Sequence, residues 1–329
     1  MDFRLTPEQL ELQDHVRRYC ARVFTLEGLA ALDGRGPDRS TWAALADLGL
    51  FGLRVPAADG GLGLGWVETV AAYEVLGAHL VPGPLVWSQL LAGVVPGVAD
   101  GSRIVTGVDH VEPGAPIVVE HLGLADAVAV VDAEGVVLVD VTADSAGGAD
   151  GSLTPLDPLT PVGRFTGPVE GERVLGAGEV DRIRAEGAVL TGALLVGIAD
   201  RALEVAREYA LGREQFGRPI AAFQAVQNLL ADMYVRTMLA RSAAYAAAAI
   251  LDDAFLHNDL AAAVGSVKVV AGDAAMANAR TCIQVHGGMG FTWEMMPHYL
   301  LKRTWVLEHG FGTSAEHAEA LAAAMGSTG

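Results

Sequence analysis

Positive charge is scarce in this 329-residue sequence: 22 Lys and Arg stand against 40 Asp and Glu, a formal net charge of −18. Nucleic acid and anionic membrane surfaces need clustered cations, so neither is expected as a main partner. A polyanionic ligand would have to be held locally, by single arginines and backbone N–H groups, against the field of the whole molecule. Cysteine is nearly absent as well. Cys20 and Cys282 give no disulfide framework and no metal-ligand spacing. Each lies in a segment that reads as helix, where a lone cysteine is a small buried apolar residue. Charged residues are only 19% of the chain against 51% apolar, which excludes a disordered polymer. Long apolar runs are missing too: no 18 consecutive apolar residues occur, and the alanine-rich run 239–251 is broken at Arg241 and Ser242. The opening "MDFRLTPEQLELQDHVRRYCARVF" reads as a charged amphipathic helix and not a signal peptide, so a cytoplasmic protein is expected.

The length suits two or three domains. Residues 1–95 are expected to be α-helical. Thr6-Pro7-Glu8-Gln9 supplies an N-cap, a first-turn proline and acidic or amide residues behind it. Leu10, Val16, Tyr19, Cys20 and Val23 then recur at roughly helical spacing. Further helices are expected over 39–48, 65–80 and 85–94, with the Pro- and Gly-rich "GLRVPAADGGLGLGW" as a loop between them. From 96 to 177 short β-branched runs alternate with Gly, Pro and Asp, the pattern of a small β-domain. Within it "VVDAEGVVLVDV" reads as a hairpin with a Glu-Gly turn. From 178 to 329 helices are expected near 180–212, 219–252, 259–286, 296–307 and 314–325, suited to an antiparallel bundle. In the second of them Ile220, Phe223, Val226, Leu230, Met233 and Ala240 keep one face apolar, Thr237 being the exception, and Pro219 is placed in the first turn. The fold class is α+β.

Two glycine clusters need separating. "GGLGLG" at 60–65 lacks the preceding strand, following helix and βαβ context of a dinucleotide fingerprint, and reads as a loop between helices. "QVHGGMGFT" ends a long helix instead of starting one. Gly287 and Gly288 could be a C-cap with positive φ. Alternatively, their missing side chains let a ligand approach the backbone while Gln284 supplies amide hydrogen bonds. His286, without a metal partner four residues away, reads locally as a polar loop residue. In "REYALGREQFGRPIAAFQAVQNLLADM", Arg213 and Arg218 flank Phe216 in a link between two helices, and Gln224 follows one turn into the next. These arginines are either solvated or a phosphate fork.

Together these segments make the chain resemble the acyl-CoA dehydrogenases. "LTPEQLELQDHVRRY", "ALADLGLFGLRVPAADGGLGLG", "REQFGRPIAAFQAVQNLLADM" and "QVHGGMGFT" stand in family order and spacing. The resemblance implies a helical N-terminal domain, a middle β-domain and a C-terminal four-helix bundle. It also implies FAD lying across a subunit boundary, with Arg213, Phe216, Gln224, Gln284, Val285, His286, Gly287 and Gly288 holding the pyrophosphate and adenosine of a neighbour's cofactor. An acyl-CoA would be the substrate and an electron-transfer flavoprotein or similar carrier the acceptor.

The chain departs from that family where the chemistry sits. Most members place the base, a glutamate, directly before a Gly-Thr pair, where this chain has Phe311 before Gly312-Thr313. Others place it 26 residues before the hairpin arginine, which here is Gly187, with Glu186 rotated away by about 100° of helix. The Thr-Glu-Pro…Gly-Ser-Asp and Trp-x-Thr-Asn stretches that contact flavin and thioester have no match between 96 and 176, "HVEPGAP" at 110–116 being the nearest echo. Glu316 stands where glutamine is common. No catalytic residue is therefore assigned. The pattern resembles the shorter subunit of actinobacterial α2β2 acyl-CoA dehydrogenases acting on steroid-CoA esters, and "GFTWEMMPHYLLKR" resembles it too. Gly187 with Ala185 and Ala188 would leave room for a bulky acyl group. Lys302 and Arg303 face either a phosphate or interface carboxylate, or solvent at a helix end. Alternatives are a self-sufficient enzyme with a relocated base, Glu186, Glu294 or Glu308 (each also readable as a surface or helix-end charge), and a non-redox scaffold of the same fold.

Overall fold

The computed structural model describes residues 5–111, 115–142, 153–166, 168–253 and 260–326. Among these described residues ten α-helices and eight short strands are arranged in two compact units, divided as 1–29, 70–81 and 188–329 on one side and 30–69 and 82–187 on the other.

The first unit begins with α1 (Pro7–Val23). Thr6 Oγ1 accepts from the Gln9 amide and Gln9 Oε1 from the Thr6 amide, a reciprocal capping box that adds to the N-cap expected at Thr6. Helix α4 (Trp66–Ala78) and the 33-residue α6 (Val180–Gly212) approach so closely that their backbones touch. A Cβ on Gly77 would lie 2.1 Å from the Leu194 carbonyl oxygen, and one on Gly197 2.0 Å from that of Glu74. Both positions are therefore closed to any side chain. The remaining helices are α7 (Gln224–Asp252), α8 (Leu260–His286), α9 (Pro297–His309) and α10 (Ser314–Gly326), with α8 packing on the other three. The buried Asn278 amide of α8 lies 3.1 Å from the Ala199 oxygen of α6 and 3.0 Å from Met233 O and Thr237 Oγ1 of α7, so one side chain ties three helices. Thr237, the polar exception on the α7 face, is thereby accounted for. Among the described residues one stretch, Leu260–Phe291, is long and apolar enough to cross a membrane, and here it belongs to this packed bundle.

The second unit holds α3 (Arg39–Asp47), capped by Asp38, and α5 (Leu85–Leu91); α2 (Leu26–Ala31) crosses the division between the units. Its four-stranded sheet has the order β1 (Val105–Val108), β3 (Ala127–Asp132), β4 (Gly135–Asp140), β6 (Glu172–Gly176); β1 and β3 run parallel and the other pairs antiparallel. β2 (Ile117–Glu120) pairs with β5 (Val162–Phe165). Val128 faces Val139 and Val130 faces Val137, and with Val119, Leu122 and Phe165 these valines make the core. The strands thus fall where the β-branched runs lie. The hairpin turn is one residue earlier than expected: Asp132 pairs with Gly135, leaving Ala133-Glu134 at the corner. "GGLGLG" is a loop, as read, and Gly61 is required by packing, since its Cβ would lie 2.1 Å from the Val55 oxygen.

Candidate functional site

Helix α6 stops at Gly212, and the next eight residues form a feature the sequence concealed. Strands β7 (Glu214–Gln215) and β8 (Arg218–Pro219) pair antiparallel around Phe216-Gly217. Both turn residues have positive φ, +53° and +76°, the mirror-image turn whose twist matches a hairpin. Gly217 adopts that region readily; a phenylalanine does so at a cost. Pro219 ends β8 and is followed by a 3₁₀ turn over 220–222, so it is not the first-turn proline of α7. Helix α7 begins at Gln224, which is its exposed first residue and not a residue one turn in. Phe216 is 93% exposed at the tip. Arg218 lies over the Phe223 ring, 4.3 Å from its centroid. Among the described residues the exposed Arg213 guanidinium forms no ion pair.

The second glycine cluster splits into residues with different reasons. Gly287 has φ +59° and ends α8, as a C-cap should. Gly288, expected to share that conformation, does not have positive φ, and a Cβ there would meet nothing within 4 Å. Gly290 is packed, its Cβ falling 2.7 Å from the Ile283 oxygen. Nothing in this chain's own packing or backbone therefore requires glycine at 288. Gln284, Gly287 and Gly288 are exposed while Val285 and His286 are buried. His286 is consequently no loop residue: it is the last residue of α8, stacked on Tyr209 with centroids 4.1 Å apart and planes at 25°. That stack brings the hairpin and the glycine turn, some seventy residues apart in sequence, to one place.

The loop after α9 is held from several sides. Lys268, 0% exposed, points Nζ at the carbonyl oxygens of Leu307, Glu308 and Gly310, at 3.4, 3.1 and 2.8 Å. His317 Nε2–H donates to the Phe311 oxygen at 2.9 Å, and Glu308 Oε1 accepts from the Ser314 amide at 2.8 Å. Phe311, buried and with φ +55°, sits in this frame. Sequence reasoning missed Lys268, although a single lysine inside the apolar run "GSVKVVAG" was a signal.

The three glutamates weighed as alternative bases have other work or none. Glu186 is 4% exposed, not a surface charge. Arg182 Nη1 lies 3.0 Å from both its oxygens and Arg54 3.7 Å from one, with Arg54 itself stacked on Trp66. Burial raises its pKa while the two arginines oppose the rise. Glu308 caps Ser314. Glu294 is exposed. Arg303, read as a possible helix-end charge, is buried, with Nη1 donating to the Val81 oxygen at 3.2 Å, and Lys302 lies over the Trp293 ring. Part of "HVEPGAP" lies outside the described residues.

A separate cavity of about 650 Å³ in the first unit is lined by Gln13, Arg17, Glu74, His79, Arg201 and Glu204, among others. Several of its charges are already paired. Glu74 accepts from Arg241 Nε at 2.8 Å and from the Tyr245 hydroxyl at 2.9 Å, and Arg201 pairs with Glu204. Burial, with Arg201 and Arg17 nearby, pushes His79 down to about 4. A histidine held neutral in the fold but protonated below about 6.5 in the unfolded chain leaves its stabilisation intact above that pH and loses it as pH falls toward 4. His79→Gln is expected to flatten the slope of melting temperature between pH 6.5 and 4; an unchanged slope would assign that loss to other groups.

A family model described as the acyl-CoA dehydrogenase C-terminal domain matches residues 184–326, and one described as the N-terminal domain matches residues 6–100. Acyl-CoA dehydrogenase FadE34 of Mycobacterium tuberculosis is 36% identical over 294 residues, 83% of this chain but 40% of that protein's length. Acyl-CoA dehydrogenase IpdE2 of the same organism is 30% identical, covering 83% of each chain. Among solved structures, the ChsE4-ChsE5 complex of M. tuberculosis superposes with TM-score 0.85 at 26% identity, covering 99% of both chains. The Tcur3481-Tcur3483 steroid ACAD G363A variant gives 0.84 at 26%, covering 98% and 99%.

Proposed function

This chain belongs to the acyl-CoA dehydrogenase family, and we propose that it is one subunit of a hetero-oligomeric, FAD-dependent acyl-CoA dehydrogenase, α2β2 in form. Its homologous partner supplies the catalytic carboxylate and the platform for the flavin ring. The reaction is α,β-desaturation of an acyl-CoA thioester, with a steroid-derived acyl group as the substrate class. Bound flavin supplies the acceptor for the hydride, and its electrons pass to an electron-transfer flavoprotein or similar carrier. The ChsE4-ChsE5 complex and the paired, steroid-named Tcur3481-Tcur3483 variant support both parts of the reading.

The observation that carries it is Phe311. A phenyl group can neither take nor give a proton, yet it occupies the place before Gly312-Thr313 on a loop held by Lys268, His317 and Glu308. The loop is kept while its chemistry is gone. A positioned base supplies roughly 10²–10⁴-fold, about 3–5 kcal/mol of barrier, so turnover requires the missing carboxylate from elsewhere. The residues retained suit the phosphate and adenosine end of FAD. Arg213 meets the pyrophosphate charge, Gln284 offers its amide, and the backbone at Gly287 and Gly288 admits close approach. Phe216 and Gln224 extend that surface, and Val285 and His286, being buried, act through backbone or packing. Arg213 also answers an electrostatic need, since α6 and α8 both present their negative C-terminal ends here.

Co-expression with the product of the neighbouring gene tests this. The pair is expected to purify together, yellow, with stoichiometric flavin and turnover, whereas this chain alone is weakly flavinated and inactive. Full flavin and turnover in a purified homo-oligomer would refute the proposal.

A further inference from the structure

We propose that Tyr209 is a positioning residue that locks the arginine hairpin and the glycine turn into one dinucleotide-binding surface; this rests on the half-site reading above. Tyr209 lies one helical turn before Arg213 on α6 and has a connection to each arm. Its carbonyl oxygen accepts from the Arg213 amide at 2.9 Å, and its ring stacks on His286, directly before Gly287. The hairpin closes on the same end of α6, because the Ile220 amide donates to the Arg213 oxygen at 2.8 Å. Residues 213–218 are all exposed, so no core contact of their own aims them. Their direction is inherited from the last turn of α6.

The other half of the stack is fixed just as firmly. His286 Nδ1 lies 2.8 Å from the Cys282 carbonyl, which can only accept, so Nδ1 carries the proton and the neutral ring leaves Nε2 bare. Nε2 is buried and has no partner among the described residues. Burial also holds the imidazole below its ordinary pKa, in keeping with a neutral ring face against the phenol. The contact is a stack of two aromatic faces, which sets separation and tilt and not merely proximity. Because α8 ends at this contact and α6 ends three residues beyond it, losing the stack frees the two helix ends to shift and moves Arg213 relative to Gly287 and Gly288. A ligand spanning the two arms needs that spacing fixed before it binds.

Hydrogen exchange on the full chain, together with flavin titration of the co-expressed complex, tests the lock. Tyr209→Ala is expected to raise amide exchange in both 213–220 and 282–290 and to weaken FAD binding at least ten-fold. Tyr209→Phe keeps two stacked rings and is expected to restore both. Tyr209→Leu, retaining apolar bulk without an aromatic face, serves should the alanine variant fail to fold, and is expected to behave as the alanine variant does. Faster exchange confined to the neighbourhood of residue 209, or wild-type FAD affinity in Tyr209→Ala, would overturn the proposal. A wild-type complex that takes up no flavin would overturn the half-site reading and the ligand assigned here, and is recognised by exchange coupling that persists without it.

Discussion

Lys268→Met is expected to destabilise the chain by about 3–5 kcal/mol and to lower Tm by roughly 5–10 °C, an unusual cost for a change that nearly conserves volume. Helix α9 ends with carbonyls that have no partner within the helix. The residues bearing them are only partly buried, whereas the Lys268 side chain that reaches them is wholly so. The ammonium group has three donors, and Leu307, Glu308 and Gly310 present three oxygens to it. It also sits at the negative end of the helix dipole, where a cation is favoured. Methionine fills the space and offers no proton, leaving part-buried acceptors whose loss costs up to about 1–3 kcal/mol each, with incomplete additivity and least at Leu307, whose oxygen also accepts from the Gly310 amide. Lys268 Nζ and His317 both hold the 310–311 stretch, so the loop carrying Phe311 should loosen ahead of the global transition. Thermal melts and local exchange around 307–313 read both effects. A melt within a degree of wild type would mean that the loop finds other donors.

Gly197→Ala is the second large effect, about 3 kcal/mol or more, with poor soluble yield. Overpacking usually costs about 1–3 kcal/mol because neighbouring side chains can shift. At this crossing they cannot, since the added methyl meets the Glu74 oxygen at 2.0 Å and the Ala78 nitrogen at 2.5 Å, both backbone atoms. Helices α4 and α6 would have to separate, and Glu74 would move away from Arg241 and Tyr245. Gly77→Ala, with the Leu194 oxygen at 2.1 Å, should behave alike. Gly93→Ala, where a Cβ meets nothing within 4 Å, is the control and should be nearly silent in a urea titration. Equal midpoints for Gly197→Ala and Gly93→Ala would contradict a backbone-on-backbone contact.

What the sequence disclosed and what it hid follow from range. Periodicity and β-branched runs located the helices other than α2, the strands between 105 and 176, and the N-cap at Thr6, because each is settled within a few residues. The Phe216 hairpin was hidden because two-residue strands have no period, and a proline ending a strand looks like one starting a helix. Gly287 and Gly288 look alike as letters, yet only one has a backbone reason to be glycine. His286 was misread because its partner, Tyr209, lies on another helix. Glu186 was assigned to the surface for the same reason, since Arg54 comes from a distant segment. The candidate site residues could be listed from motifs; what holds them together could not.

The tip of the β7–β8 hairpin matters beyond the candidate site. Phe216 stands almost wholly in water, and along α7 Tyr234, Val235 and Leu239 are also more than half exposed. A polypeptide made in excess of whatever covers these rings would offer a sticky face to chaperones, proteases and its own copies. Balanced synthesis would then matter to the cell as much as turnover does, and surplus copies would be the first to be cleared.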